Sequence, residues 1–149
     1  MRPSRPLDCN CLVVRQAARH VTQLYDRWLA PFGLKASQFG ILASLKRLGP
    51  MSINALAATL VMDPTTLGRN VRPLQRDGLV AIAVSRADRR SRDLRLTATG
   101  AKLLDRALEG WAEAQAEFER SVGETHAAEF RALLRSVAAT EFRAADSPA

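Results

Sequence analysis

Residues 51–97, MSINALAATLVMDPTTLGRNVRPLQRDGLVAIAVSRADRRSRDLRLT, limit the possible folds of this chain more than any other stretch. Ser52 suits a helix N-cap, because its hydroxyl can accept from an orphan backbone N–H. Behind it, Ile53, Leu56, Ala57 and Leu60 recur at i, i+3, i+4 and i+7, one apolar helix face. Asp63-Pro64 then starts a second helix: Asp caps, and Pro costs nothing at the first helical position. Leu67, Val71 and Leu74 make its buried stripe, and Gly78 suits the left-handed position that ends it. Pro73, inside this helix, cannot donate to the carbonyl of Arg69, which predicts a local bend.

Two extended segments follow. Leu79 to Val84 is rich in small and β-branched apolar residues, and Asp93-Leu94-Arg95-Leu96 alternates polar with apolar. The connecting residues 85–92, SRADRRSR, are too polar to bury and predict a projecting loop. This is the pattern of a winged helix-turn-helix. Thr65, Thr66, Arg69, Asn70 and Arg72 lie mainly off the buried stripe, as short hydroxyls, an amide and guanidinium groups suited to phosphates and base edges. Arg86, Asp88, Arg89 and Arg90 occupy the loop. Residues 63–97 hold 8 Arg against 4 Asp, a net of +4. A basic run alone reads as a solvated face; directly after a helix-turn-helix it reads as a DNA contact.

Composition supports that partner. The formal charge of the 149-residue chain is +7 and its pI about 10.6, favouring a polyanion. Aromatics make up only 5%, without the aromatic-basic interleaving that stacks on single strands, so double-stranded DNA is expected. Residues 1–50 carry 8 basic and 2 acidic groups, whereas 105–149 carry 5 and 9, which sets the C-terminal end apart from DNA. No apolar run approaches the ~20 residues of a membrane span, and no signal sequence is evident, so the expected location is cytoplasmic.

Long helices are predicted on both sides. One runs from about Leu7 to Leu29 and ends at Pro31 and Gly33; a second covers Ala36 to Leu48. After Thr97, a helix of about Ala98 to Val122 carries Leu104, Leu108, Trp111, Gln115, Phe118 and Val122 in a near-heptad stripe, and a last helix covers about Thr125 to Ala144. A winged unit of about 70 residues could bury a core without the terminal helices. Their stripes are too broad for lone solvated helices. The expected architecture is therefore mainly α with a small β-hairpin wing: a winged helix-turn-helix at 35–97 between dimerisation helices at 1–34 and 98–149. A two-fold homodimer would set two recognition helices about 34–36 Å apart on successive major grooves.

Several phrases in this order resemble the multiple-antibiotic-resistance regulator (MarR) family: Leu29-Ala30-Pro31-Phe32-Gly33-Leu34 with Gln38-Phe39, Asp77-Gly78-Leu79-Val80, Asp88-Arg89-Arg90, and Leu96-Thr97 with Gly100. The resemblance implies a homodimeric regulator, a repressor in the first instance, released from a pseudo-palindromic operator by a signal. It carries a minor-groove arginine onto Arg90, the aspartate that orients it onto Asp88, and recognition-helix contacts onto Thr65, Thr66, Arg69 and Asn70. Lys35 departs from the family, which often has a capping Thr there; Ser37 is the expected substitute, with a slightly shorter helix.

The signal is left open between a small-molecule effector, aromatic or other, and oxidation. An effector fits the crevice between the long helices and the winged unit, with His20, Tyr25, Trp28, Phe39 and Trp111 as candidate lining. Each is also ordinary core. Cys9 and Cys11 match no structural zinc spacing, and two thiols at i and i+2 on a helix point to different faces. The spacing from Cys11 to Arg19 and Tyr25 resembles the family's peroxide-sensing branch, although the branch's second Tyr falls at Ala36 and no later cysteine follows. The opposing reading makes both cysteines small packed hydrophobes. Fourteen residues along one helix separate Cys11 from Tyr25 by roughly 21 Å, so contact between them is expected only across a dimer. No phosphate loop, paired carboxylates or nucleophile-base arrangement suggests an enzyme, a metal site or a cofactor. A winged protein-interaction module would carry an acidic or apolar recognition face, which Arg69, Arg72 and the loop arginines argue against.

Overall fold

The computed structural model describes residues 8–142. In chain order it contains α1 (Asn10–Leu29), a 3₁₀ turn (Ala30–Phe32), α2 (Ala36–Leu48), β1 (Met51–Ser52) and α3 (Ile53–Thr59). Then come α4 (Pro64–Arg76), β2 (Val80–Val84), β3 (Arg92–Leu96), α5 (Ala98–Val122) and α6 (Glu124–Ala138). Both terminal helices are shorter than expected, α1 starting at Asn10 and α6 ending at Ala138; the expected limits Leu7 and Ala144 themselves lie outside the described residues.

The local signals act as their chemistry requires. Ser52 accepts from the Ala55 N–H at 3.2 Å, Asp63 from Thr66 at 2.8 Å and Thr97 from Gly100 at 3.0 Å. At Gly78, φ is +71°; the Leu79 N–H reaches the Leu74 carbonyl and the Gly78 N–H reaches Gln75, a Schellman ending. The α4 helix continues through Pro73 to Arg76. The capping expected of Ser37 is not what holds α2. The helix begins at Ala36, whose N–H donates to Asp26 Oδ1 at 2.7 Å, while Lys35 N–H donates to Gln38 Oε1 at 2.9 Å. Asp26 belongs to α1, so a carboxylate from across the corner replaces the local hydroxyl.

The wing is a three-stranded antiparallel sheet, ordered β1-β3-β2, rather than a two-stranded hairpin. Met51 pairs with Leu94, and Val80 to Val84 pair with Leu96 to Arg92. Leu56, Leu67, Leu74, Val80 and Leu94 are buried behind it. Burying each such side chain stabilises the fold by about 1.5–3 kcal/mol relative to exposure. The same core cluster continues through Ile41, Leu42 and Leu45 of α2 to Leu29 of α1 and to Leu104 and Ala107 of α5. The winged unit is thus seated on α1 and α5 by shared packing. Thr97 adds a polar weld, its hydroxyl donating to the Gly78 carbonyl at 2.6 Å.

Candidate nucleic-acid interface

The recognition surface is built on α4. Its inner stripe of Leu67, Val71 and Leu74 is buried, which turns Thr65, Thr66, Arg69 and Arg72 outward to solvent. Asn70 is half-buried and donates through Nδ2 to the Thr66 carbonyl at 3.1 Å, leaving its own side-chain oxygen free to accept. The helix N-terminus brings a partial positive charge to the end that carries the two threonines.

The second part is the loop from Ser85 to Ser91. The Ser85 N–H donates to the Ser91 carbonyl at 2.9 Å and closes its base. Inside it, Ser91 N–H donates to the Asp88 carbonyl at 3.0 Å, and Arg90 N–H donates to Asp88 Oδ1 at 2.9 Å. Asp88 therefore fixes the loop by accepting from backbone, and Arg86, Arg89 and Arg90 stand exposed around it. Among the described residues, Arg69, Arg72, Arg86, Arg89 and Arg90 have no carboxylate partner, whereas Arg27, Arg76 and Arg131 each have one. These five guanidinium groups lie on α4 and the loop and are exposed, so phosphate oxygens there would meet available positive charge.

A profile of the MarR family matches residues 32–91, the span from the end of the 3₁₀ turn to the end of the wing loop. The HTH-type transcriptional regulator PecS of Dickeya dadantii is 30% identical over 144 residues, covering 91% of this chain and 87% of that protein. The chain belongs to the MarR family. The M. tuberculosis transcriptional regulator MosR, solved in complex with DNA, is 37% identical with a TM-score of 0.74, covering 90% of this chain and 99% of that one. A shorter match, 31% over 67 residues, joins it to the HTH-type transcriptional regulator YwoH of Bacillus subtilis; it spans 45% of this chain and 49% of that protein, about half its length. This MarR-family protein is a DNA-binding regulator of transcription and not an enzyme, and the winged unit between long helices is the family's fold.

The five candidate effector residues fall in separate places. Tyr25 donates its hydroxyl to Gln115, and burial pushes its pKa up. Trp28 Nε1 donates to Glu117 Oε2 at 2.6 Å, and Arg27 pairs with the other oxygen at 2.5 Å; these donors, Trp28 foremost, hold the Glu117 carboxyl below its usual range. Both tie α1 to α5. Phe39 stacks on Trp111 at 6.4 Å between α2 and α5. His20 lines an open cleft of about 320 Å³ between α1 and α5. A different cavity, about 500 Å³, lies between the α1–α2 corner and the end of α4, lined by Asp26, Leu34, Lys35, Gln38, Pro73 and Arg76 among others. None of the five residues expected to line an effector crevice is in its wall. Nothing local in the sequence joins Asp26 to Arg76, so periodicity had no means of finding it.

Cys9 and Cys11 are both exposed in this chain, not packed as small hydrophobes. Cys9 is the N-cap of α1, with extended backbone at φ −71° and ψ 118°, and only Cys11 is helical. With Cys9 outside the helix, the two thiols are not an i, i+2 pair on one helix, contrary to the expectation.

Proposed function

We propose that this regulator works as a homodimeric repressor on a pseudo-palindromic operator in the cytoplasm and leaves it when a small molecule enters the cavity beside α4. The observation that carries the DNA-reading part is the exposed basic face that α4 turns away from its buried stripe, next to the exposed arginines of the wing loop. Thr65, Thr66, Arg69, Asn70 and Arg72 read or position in the major groove. Arg86, Arg89 and Arg90 take phosphates or the minor groove, with Asp88 shaping their loop.

Dimerisation is supported by apolar side chains left in solvent on the terminal helices: Val13 is 53% and Leu133 64% exposed, with Val14 and Val137 beside them. A second copy supplies the cover these faces lack. Effector release is supported by the cavity wall, which joins Asp26, the cap of α2, to Pro73 and Arg76 at the end of the recognition helix. A ligand bound there with different affinity in the two states shifts α4 relative to α1, and so the spacing of the two recognition helices. The test is a reporter gene behind the selected operator: deleting this protein raises expression, and supplying it lowers expression unless an effector is added. Expression that falls on deletion would make it an activator.

Cys11, at the start of α1, is the candidate for a second signal. A hydroperoxide would transfer one oxygen to the Cys11 thiolate, giving a sulfenic acid and releasing the alcohol. Organic hydroperoxide titrated into the DNA complex separates the two: release that needs Cys11 but survives Cys9→Ser supports oxidation sensing. Release that is absent, or equal in Cys11→Ser, leaves the effector.

A further inference from the structure

The wing sheet carries a basic site away from its loop tip. Side chains alternate along β3, so Leu94 turns into the core at 3% exposure while Asp93 and Arg95 turn to the other face. Opposite them on β2 stand Ala81 and Ala83, too small to fill that face. A cavity of about 330 Å³ opens there, lined by Pro50, Ser85, Arg86, Ala87, Asp93 and Arg95.

Arg95 is the unexplained member. Its Nε is withdrawn from solvent and has no hydrogen-bond partner among the described residues. A buried guanidinium N–H left unmade is costly and calls for an occupant. Arg86 in the same wall has no carboxylate partner among the described residues either. Asp93 shares the wall without forming an ion pair to either arginine, so the lining holds two positive groups and one negative. Ser85 is buried at 7% exposure; its oxygen accepts from Ala87 N–H at 3.3 Å and its proton is free to donate.

Such a wall, rich in donors and net positive, suits an oxyanion with several acceptor oxygens, and guanidinium forks match phosphate geometry. A cation would meet one carboxylate flanked by two guanidinium groups. We propose that the wing root is an oxyanion site of the phosphate class, with Arg95 and Arg86 as its charged donors. Two sources carry that chemistry: a backbone phosphate of the duplex held by α4 and the wing tip, or a free phosphate group. The first rests on the placing of α4 and the wing on DNA; the second does not.

Two titrations of the full-length protein decide it. One follows duplex affinity against salt for wild type, Arg95→Met and Arg86→Gln. The other follows the unfolding midpoint against inorganic phosphate at constant ionic strength, without DNA. Arg95→Met keeps the apolar stem and removes the orphan donor, so its midpoint in phosphate-free buffer should not fall. If it fails to fold, Arg86→Gln tests the second donor. A DNA phosphate predicts that the salt slope drops by about 0.9, with affinity about tenfold weaker. A free oxyanion predicts a wild-type midpoint that rises with phosphate and a variant midpoint that does not. Unchanged slope and affinity, with a wild-type midpoint indifferent to phosphate, would overturn the site. Should the wild type bind no duplex at all, the DNA placement fails, and the phosphate titration alone decides the wing root.

Discussion

The Asp88 carboxylate accepts a hydrogen bond from the backbone N–H of Arg90 at 2.9 Å, so the acidic residue of the wing holds the loop's backbone beside its arginine. Simple electrostatics says that removing a negative charge next to DNA tightens binding. The hydrogen bond says the reverse. Asp88→Ala should weaken duplex binding severalfold, matching the roughly 0.5–1.5 kcal/mol of a typical hydrogen bond, as measured by fluorescence anisotropy. Tighter binding by Asp88→Ala would reduce Asp88 to a repulsive charge.

Arg90 itself is exposed and unpaired among the described residues. Arg90→Ala should weaken binding to every duplex and lower the salt slope by about 0.9, the share of a single neutralised phosphate. If the side chain enters the minor groove, preference for A·T-rich flanks falls too. Equal affinity and slope would show that the wing tip stands clear of DNA.

The close approach of α1 to α5 depends on Gly110, where an added Cβ would lie 2.4 Å from the Trp28 carbonyl oxygen and 2.8 Å from the Phe32 ring. Backbone cannot yield cheaply. Gly110→Ala should cost about 1–3 kcal/mol and shift Trp28 fluorescence as its bond to Glu117 is disturbed. Gly40→Ala, in α2 with nothing within 4 Å of the added carbon, is the control and should hold or raise the midpoint.

Val61, in the turn between α3 and α4, sits at φ +50° and is 74% exposed. A β-branched residue there is strained and makes little packing in return. Val61→Gly should raise stability by about 1 kcal/mol, the relief of about 1–3 kcal/mol of strain exceeding the 0.5–1 kcal/mol entropy cost of glycine. Thermal unfolding checks this; a lower midpoint would mean that the valine makes a contact worth more than its strain.

Leu133 is 64% exposed on α6, and α6 is held to α5 by Phe118 against Phe130 and by Arg131 to Glu119 at 2.9 Å. Leu133→Glu should leave the chain folded and shift sedimentation from dimer to monomer, with a matching loss of DNA affinity. Deleting 123–149 should aggregate the protein or abolish binding by baring Phe118, which Phe130 covers. A folded Leu133→Glu dimer of wild-type affinity would place the interface elsewhere.

The helices and caps are legible in the sequence because their signals are local: a period of 3.6, a hydroxyl or carboxylate before the first turn, a glycine after the last. The features that stay hidden join distant residues or lack periodicity. Met51-Ser52 is too short to alternate, so β1 leaves no pattern. The Asp26 cap on Ala36 crosses a chain corner, and Arg95 reads along the strand as one more solvated basic residue. Val61 carries no glycine signal, although its backbone is left-handed. The aromatic residues expected around a ligand are visible as large side chains, but pairing Phe39 with Trp111 and Trp28 with Glu117 requires the fold.

The placing of two recognition helices by a two-fold dimer is tested most directly on the complex itself. The measurement is the stoichiometry and hydroxyl-radical footprint of the full-length protein on a duplex selected from random sequence. Two chains per duplex are expected, protecting two inverted half-sites centred one helical turn apart, about 34–36 Å. One chain per duplex, or a single protected patch without a two-fold repeat, would contradict it.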